Sequence, residues 1–362
     1  MSRSPKIDPW GTPPWKINFT PSRRKLPAHV DFAIIGGGFT GLAAAGWLRL
    51  LAPDKSVAVF EAAHIGAGAS GRTGGMVLAE TAAGNQPGLG DVLAGFQCIL
   101  EKLKVRCDLK LNGAWEIARR HNSGKAKPQH SPITWNDSGT LRVVNEVPGG
   151  TLDPGKLVSG LARAAQRQGA YIYENHRVQR ISWSVTPELH ITTTGSAAQK
   201  ITAAKILFAT NALSLPAAGL TGMHPRLTLA VLSRPVSEKV LAEIGLGHRK
   251  PFYTVDFPYL WGRVRPDRSI VWGAGLVQSP DANDLEKWRS PPKNRPQRSI
   301  ASKIASATCI RRWKIQNSPG AGAARSSSAI PGNRSSTGTR KASLAPQARA
   351  QRQITATPHA TA

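Results

Sequence analysis

A glycine pattern, G-x-G-x-x-G at residues 36–41, constrains the fold of this chain more than any other feature. The apolar run before it, residues 30–35, is typical of a buried parallel strand. Residues 39–51 are rich in Ala and Leu and predict a helix. Residues 57–60 predict a second buried strand, which Glu61 closes. This strand, turn, helix and strand order is the context in which such a glycine pattern indicates a dinucleotide-binding unit.

Each glycine of the pattern has a physical role in that unit. Gly36 permits the tight turn from strand to helix, Gly38 lets a pyrophosphate approach the backbone, and Gly41 lets the helix pack closely on the strand. The helix N-terminus offers N–H groups and a positive dipole end to the phosphates. Glu61, twenty residues after Gly41, can accept hydrogen bonds from a ribose hydroxyl. A glycine-rich turn in an ordinary α/β domain is the alternative, and it leaves the Glu61 spacing to chance.

A second glycine-rich stretch follows directly, AAHIGAGASGRTGGMV at residues 62–77. Its five glycines predict neither a helix nor a regular strand. It exposes many backbone N–H groups and one guanidinium, that of Arg72, beside the expected phosphate site. We interpret it as the second wall of a cofactor cleft, with an ordinary flexible loop as the alternative.

The rest of the chain predicts further helices and strands up to about residue 284. Asp153 and Pro154 are a typical N-cap and first position for a helix that Gly169 ends. The predicted helices lie at 89–109, 152–168 and 240–244. The predicted strands lie at 111–119, 133–147, 170–173, 178–184, 189–193, 203–209, 227–232, 252–255, 259–264 and 269–273.

The charge is distributed unevenly along the chain. Of the net charge of +27, +15 belongs to residues 287–362, which hold 15 Lys and Arg and no acid. This segment is rich in Arg, Ser, Ala, Pro and Gly and has no apolar periodicity, so we expect it to be disordered. Nucleic-acid binding through this basic segment is one possible function. The segment lacks interleaved aromatic residues and a recognisable module, so we expect no specific nucleic-acid partner.

Three observations indicate the compartment. The cysteines, Cys98, Cys107 and Cys309, have neither metal-type spacing nor the pattern of a disulfide framework. No apolar run is long enough to span a bilayer, and the N-terminus lacks the apolar core of a signal peptide. We therefore expect a cytoplasmic protein with no membrane span and no bound metal.

Several segments together resemble the FAD-dependent oxidoreductases of the D-amino-acid oxidase superfamily. The resemblance is greatest to the glycine oxidase, sarcosine oxidase and gamma-glutamylputrescine oxidoreductase members. IIGGGFTGLAAAGWL followed by VAVFEA resembles their ADP-binding unit, and GAGASGRTGG is similar to the loop after it. GGTLDPGKLVSGLARAAQRQGAYIYENHRV and ILFATNALS resemble later segments, in the same order. The resemblance covers roughly residues 30–280.

The resemblance implies an α/β fold: a Rossmann-like FAD-binding domain of the glutathione-reductase type, an interleaved substrate domain with an antiparallel sheet, and a disordered basic tail. It implies an extended N-terminal arm at 1–29, an FAD-binding domain at 30–85 and 150–225, a substrate domain at 86–149 and 226–284, and the tail at 285–362. The cofactor is expected to be FAD. The residues implied to hold it are Gly36, Gly38, Phe39, Thr40, Gly41, Glu61, Ala69, Ser70, Gly71, Arg72, Gly74, Gly75, Met76, Val178, Ala209, Thr210 and Asn211.

The implied activity is oxidation of the C–N bond of a small amine or amino acid by hydride transfer to the flavin. Tyr259, Trp261 and Arg263 alternate along a predicted strand, which places them on one face. Tyr259 and Arg263 are the candidates for contact with substrate. Arg263 could equally be a solvated strand residue.

The C-terminal segment departs from the family pattern. Nothing after about Asp284 resembles the family's closing segment, so we expect an aberrant or truncated C-terminus and an incomplete flavin site. Two origins are open: a genuine disordered extension, or an out-of-frame reading of a GC-rich gene, which we favour. A catalytically disabled family remnant is therefore one alternative function. An NAD-linked dehydrogenase is another, because Glu61 suits NAD as well as FAD.

Overall fold

A computed structural model describes residues 13–79, 88, 90–118, 142–193, 197–214, 226–255, 260–278 and 321–326. Within them lie four α-helices: α1 (Phe39–Leu51), α2 (Val92–Lys102), α3 (Pro154–Arg167) and α4 (Glu238–Glu243). The strands described are β1 (His29–Ile35), β2 (Val57–Phe60), β3 (Met76–Leu78), β4 (Ala114–Ala118), β5 (Arg142–Val147), β6 (Gly149–Thr151), β7 (Tyr171–Tyr173), β8 (His176–Ser182), β9 (Glu188–Thr193), β10 (Gln199–Phe208), β11 (Arg226–Leu232), β12 (Phe252–Thr254), β13 (Leu260–Val264), β14 (Ile270–Gln278) and β15 (Ala321–Ser326).

The first sheet has the strand order β7-β2-β1-β10-β9-β8. Its strands β7, β2, β1 and β10 are parallel, and β9 and β8 continue it in antiparallel pairing. Helices α1 and α3 pack on it through Leu42, Ala45, Leu157 and Leu161, which are buried in one cluster. Because parallel strands end at the same edge, the residues that follow β1, β2 and β10 are brought together there.

The second sheet has the order β15-β11-β14-β13-β12-β4-β5 and is antiparallel except for the parallel pair of β12 and β4. One face carries an apolar core that includes Phe252, Leu260 and Trp272, and Leu241 of α4 covers it. The opposite face carries Trp261 and faces the glycine-rich segment after β2. A two-stranded sheet of β3 and β6 lies beside that segment.

The predicted α/β class is confirmed, with mostly small shifts in element bounds. The predicted helix at 89–109 is shorter, since α2 ends at Lys102 and Lys104 adopts a positive φ of 52°. The strands of the first sheet lie within the ranges predicted for the FAD-binding domain, 30–85 and 150–225, except for the first residue of β1. The strands of the second sheet lie within the ranges predicted for the substrate domain, 86–149 and 226–284, except for β15. The domain bounds themselves stay a prediction.

The tail differs from the prediction in one place. Residues 321–326 form β15, which pairs with β11 from Arg226 to Val231, so the expectation of disorder is wrong for these six residues. This pairing uses backbone hydrogen bonds, which a sequence of Ala, Gly, Arg and Ser can make without apolar periodicity. The other residues of 285–362 lie outside the part of the chain that the structure describes.

In the part of the chain described here, no helix combines the length and the apolar character needed to cross a bilayer.

Candidate functional site

The turn after β1 fixes the geometry of the site. Gly36 has φ +113°, a left-handed backbone conformation that side chains other than glycine rarely adopt. A Cβ atom on Gly36 would also lie 2.5 Å from the carbonyl oxygen of Ala209, the residue that follows β10. The N–H of Ala209 in turn donates to the carbonyl of Ile35 at 2.8 Å. The predicted residues Gly36 and Ala209 are therefore in direct contact.

The N-terminus of α1 is capped from a distant part of the chain. Gly38 is the N-cap residue and has no side chain to offer, but Ser70 Oγ accepts a hydrogen bond from the N–H of Phe39 at 2.9 Å. A Cβ on Gly38 would lie 2.8 Å from that oxygen. Thr40 and Gly41 complete the first turn of the helix. Its remaining N–H groups and its dipole make this end a ready site for phosphate.

Glu61 joins the same edge of the sheet. Its Oε2 accepts from the N–H of Gly37 at 2.8 Å, and its Oε1 accepts from the N–H of Ala63 at 2.9 Å. Each carboxylate oxygen has a second lone pair. The two backbone bonds therefore orient the carboxylate and leave acceptor capacity for ribose hydroxyls.

Strand β8 crosses the end of β2 and brings Val178 towards Glu61. The N–H of His176, two residues before Val178, donates to the carbonyl of Glu61 at 2.9 Å. β8 is an edge strand, so some of its backbone N–H and C=O groups do not pair within the sheet and are available to hydrogen-bond a ligand. This position suits a contact between the Val178 backbone and the adenine of FAD, the role that the family resemblance implies for Val178; the contact stays a prediction.

The turn after β10 carries the other predicted nucleotide contacts. Thr210 Oγ1 and Ser214 Oγ are 2.8 Å apart, and Ser214 Oγ also accepts from the N–H of Thr210 at 3.2 Å. Asn211 has a positive φ of 55°, which turns the chain sharply away from the sheet. Ala209, Thr210 and Asn211 thus form a fixed wall beside Gly36.

Residues 66–76, which we call the cofactor loop, form the opposite wall. The N–H of Gly66 donates to Gly37 at 2.9 Å, and the N–H of Gly71 donates to Gly66 at 3.0 Å. Ala69–Gly71 form a single 3₁₀ turn, and the N–H of Arg72 closes it on Ala69 at 3.0 Å. Backbone hydrogen bonds therefore tie the loop to the glycine turn after β1.

The far end of the cofactor loop contacts the second sheet. The indole ring of Trp261 occupies the space that a Cβ on Gly74 would need. Nη1 of Arg263 donates to the carbonyl oxygens of Gly75 at 2.7 Å and of Leu152 at 2.6 Å. Met76 then enters β3 opposite Thr151. The loop is thus held between the two sheets.

Arg263 has surroundings that the sequence did not predict. Its side chain lies on the same face as Trp261, as alternation predicts, but Arg263 is only 4% exposed. Burial away from water lowers the pKa of its guanidinium to about 10, although nearby Asp153 opposes the shift. The described contacts are those of a residue that holds the cofactor loop. Its contact with substrate stays a prediction, and Tyr259 lies outside the described residues.

Trp15 of the N-terminal arm completes this cluster and was not predicted as part of the site. It is 6% exposed, and its Nε1–H donates to the carbonyl of Thr73 in the cofactor loop at 2.9 Å. The guanidinium carbons of Arg263 and Arg265 lie 5.2 and 5.1 Å from the centre of its ring. Among the described residues, the buried Nε atoms of both arginines have no hydrogen-bond acceptor. The aromatic ring therefore adds a cation–π contact to the hydrogen bonds that the Nη1 atoms of these arginines make.

The arm reaches this position along α3. Asn18 N–H donates to Ser159 Oγ at 2.8 Å, and Arg163 Nη1 donates to the carbonyl of Asn18 at 2.7 Å. The side chain of Ile17 fills the space beside Gly66 and Gly71. A tryptophan in a Pro-rich segment was the only sequence signal for this contact, and it did not indicate which surface the ring would meet.

These residues fit a flavin dinucleotide on the geometry of the site itself. Gly36 and Gly38 leave no room for side chains where a pyrophosphate would approach the start of α1. Glu61 is oriented for a ribose, and the cofactor loop extends from the pyrophosphate end towards the second sheet. Because the cofactor loop contacts the glycine turn at one end and the second sheet at the other, the arrangement suits a cofactor longer than the ADP portion alone.

A family model described as FAD-dependent oxidoreductase (DAO) matches residues 31–309, which are more than three quarters of the chain. The chain belongs to this family. Its cofactor is therefore FAD, as predicted, and the NAD-linked alternative is not supported. The match also continues past Asp284, so the expectation that nothing after that residue resembles the family is wrong up to residue 309.

Individual relatives agree with this assignment. Gamma-glutamylputrescine oxidoreductase of Escherichia coli (strain K12) is 26% identical over 300 residues, which are 71% of this chain and 67% of that protein. The glycine oxidase of Geobacillus kaustophilus has a TM-score of 0.58 at 17% identity, with 83% of each chain covered. The glycine oxidase of Bacillus cereus has a TM-score of 0.57 at 19% identity, with 82% of this chain and 84% of that chain covered. These two structures show the shared fold.

Replacing Gly38 with alanine tests the pyrophosphate approach. In Gly38→Ala the new Cβ would lie 2.8 Å from Ser70 Oγ and would crowd the start of α1, so we expect FAD affinity to fall by about tenfold or more, the equivalent of one lost charge-assisted contact. FAD binding is measured by fluorescence quenching. Gly95→Ala in α2 is the control, since no atom lies within 4 Å of its Cβ position. Equal FAD affinity in both variants would contradict the proposed approach.

Replacing Trp15 tests the contact between the arm and the loop. Trp15→Phe keeps an aromatic ring for the two guanidiniums but loses the hydrogen bond to Thr73, which costs about 1 kcal/mol of folding free energy. Trp15→Ala also leaves a cavity beside the buried guanidinium of Arg263 and the partly buried guanidinium of Arg265, and should cost about 3 kcal/mol or more. Urea unfolding measures both, with Trp183→Phe at an exposed tryptophan as the control. Stability unchanged in Trp15→Ala would show that the arm does not hold the loop.

Proposed function

We propose that the chain oxidises the C–N bond of a small amine or amino acid. One observation carries the proposal: the second sheet packs against the cofactor loop, with Trp261 in contact with Gly74 and Arg263 hydrogen-bonded to the carbonyl of Gly75. A flavin held by the loop would therefore face this sheet. The names of the relatives support the chemistry, because they describe oxidation of an amine or of glycine.

The glycine turn and the cofactor loop have separate roles in binding FAD. The residues after β1, β2 and β10 bind the ADP portion, with Gly36, Gly38 and Glu61 closest to phosphate and ribose. The cofactor loop from Ala69 to Met76 lines the ribityl and flavin side. FAD, when bound, supplies the hydride acceptor for the carbon next to nitrogen. The sheet excludes water from that side and orients the substrate.

Side chains of the second sheet and of the N-terminal arm hold the cofactor loop in place. Arg263 fixes the carbonyls of Gly75 and Leu152, which precede β3 and α3 respectively. Trp15, stacked on Arg263, fixes the carbonyl of Thr73. The loop is therefore restrained at two nearby positions, Thr73 and Gly75, which keeps the flavin position defined relative to the sheet.

Anaerobic mixing with a matched set of compounds tests the function. The FAD-loaded protein is mixed with butylamine, N-methylbutylamine and glycine, and with butanol as the control that lacks nitrogen. We expect the visible flavin band to bleach with at least one nitrogen compound and to persist with butanol. A bound flavin that no amine or amino acid bleaches would contradict the proposal and favour the catalytically disabled alternative. Bleaching by butanol would place the activity in another class.

A further inference from the structure

A row of paired residues crosses the second sheet on the face that meets the cofactor loop. Glu116 of β4 pairs with Tyr253 of β12, Tyr253 pairs with Trp261 of β13, and Trp261 pairs with Gly273 of β14. Directly paired residues of neighbouring strands project from the same face of a sheet. Since Trp261 contacts Gly74 in the cofactor loop, Glu116 and Tyr253 also lie on the cofactor side.

The carboxylate of Glu116 is bonded only to neutral groups within the part of the chain that the structure describes. Oε1 accepts from the phenol of Tyr253 at 2.7 Å, and Oε2 accepts weakly from Asn145 Nδ2 at 3.4 Å. No Lys, Arg or His of the described residues forms an ion pair with it. Glu116 is only partly buried, so its negative charge and its remaining lone pairs are accessible to a ligand.

Glu146 provides a comparison from the same sheet. It pairs with Trp115 in the β4–β5 register and therefore lies on the opposite face. Its Oε1 forms an ion pair with Lys250, and its Oε2 accepts from Trp115 Nε1 at 3.2 Å. The hydrogen bond from Lys250 lowers the pKa of the Glu146 carboxyl. The carboxylate on the opposite face, Glu146, is thus neutralised by a lysine, whereas no described cation neutralises Glu116 on the face that meets the cofactor loop.

The neighbours of Glu116 suit a cation. Tyr253 and Trp261 place two aromatic side chains in the same row, and aromatic faces attract ammonium groups. β4 and β13 are two strand spacings apart, so Glu116 lies roughly 10 Å from the strand of Trp261. The row therefore presents the Glu116 carboxylate at one end with the Tyr253 phenol next to it, and the Trp261 ring, which lies over Gly273, against the cofactor loop.

The same face offers little to a carboxylate. Among the residues of this face whose side chains the structure describes, the cations are Arg263 and Arg265. Nη1 of Arg263 is committed to two backbone carbonyls, and Nη1 of Arg265 is bonded to Asp267 at 3.0 Å. Both guanidiniums also lie over Trp15. An amino-acid carboxylate would have to displace one of these contacts.

We propose that Glu116, with Tyr253 and Trp261, forms an ammonium-binding subsite. This subsite selects as substrate a positively charged amine that has no carboxylate next to its nitrogen. This inference rests on the proposed C–N oxidation and chooses between its two substrate classes. Glu116 binds the ammonium, the Tyr253 phenol holds the carboxylate in position, and Trp261 provides an aromatic wall.

Calorimetric titration of the FAD-loaded protein with butylammonium and with butyrate tests the subsite. The wild-type protein is expected to bind butylammonium at least about tenfold tighter than butyrate, in keeping with one charge-assisted hydrogen bond. In Glu116→Gln the affinity for butylammonium should fall by about tenfold, while Glu146→Gln should stay within about twofold of wild type. Tyr253→Phe, which frees Glu116 Oε1 without removing its charge, should keep the preference for butylammonium.

Each outcome bears on the subsite directly. Equal or absent binding of butylammonium and butyrate to the wild type would overturn it, whether or not the variants fold. Equal affinities in Glu116→Gln and Glu146→Gln would also overturn it, even if amines bleach the flavin. If no amine bleaches the flavin but binding still depends on Glu116, the proposed oxidation fails and the subsite stands.

Discussion

The hydrogen bond from the N–H of Phe39 to Ser70 Oγ joins the glycine turn to the cofactor loop, and the rest of the site depends on it. A helix that begins with glycine has no side chain to cap its first turn, so the cap must come from elsewhere. Supplying it from a residue 31 positions later links both walls of the cleft to the start of one helix. The backbone bonds from Gly66 to Gly37 and from Gly71 to Gly66 reinforce this link.

The second constraint is a buried cation at the opposite end of the loop. Burial of Arg263 costs solvation free energy, which the lowered pKa of its guanidinium reflects. Two carbonyls and the ring of Trp15 offset that cost. Removing any one of these partners leaves a charge poorly compensated, which makes the arm, the loop and the second sheet mutually dependent.

The sequence predicted the elements next to the glycine pattern best. The bounds of α1 and β2 agree residue for residue with the prediction. Gly38 and Pro53 flank α1, and β2 is a run of four apolar residues that are all buried. α3 begins where Asp153 was expected to cap it, and Asp153 Oδ1 accepts from the N–H of Lys156 at 2.9 Å. In these places the local chemistry determines the local structure.

The remaining features depend on contacts between distant parts of the chain. Strands β3 and β6 have three residues each and carry no periodicity to detect. Alternation placed Trp261 and Arg263 on one face, but it could not show that Trp15 occupies the space beside Arg263. The pairing of Glu116 with Tyr253 joins parallel strands 137 residues apart, and no local pattern encodes it.

Hydrogen exchange of the full chain, measured by mass spectrometry with and without FAD, tests the central claim most directly. FAD should slow exchange together in the glycine turn at 36–41, in the cofactor loop at 66–76 and in the arm at 15–18, whereas NAD should protect at most the glycine turn. This pattern is expected because one cofactor would contact both walls and the arm supports one of them. Equal protection by NAD, or an unprotected cofactor loop in the FAD complex, would contradict the site described.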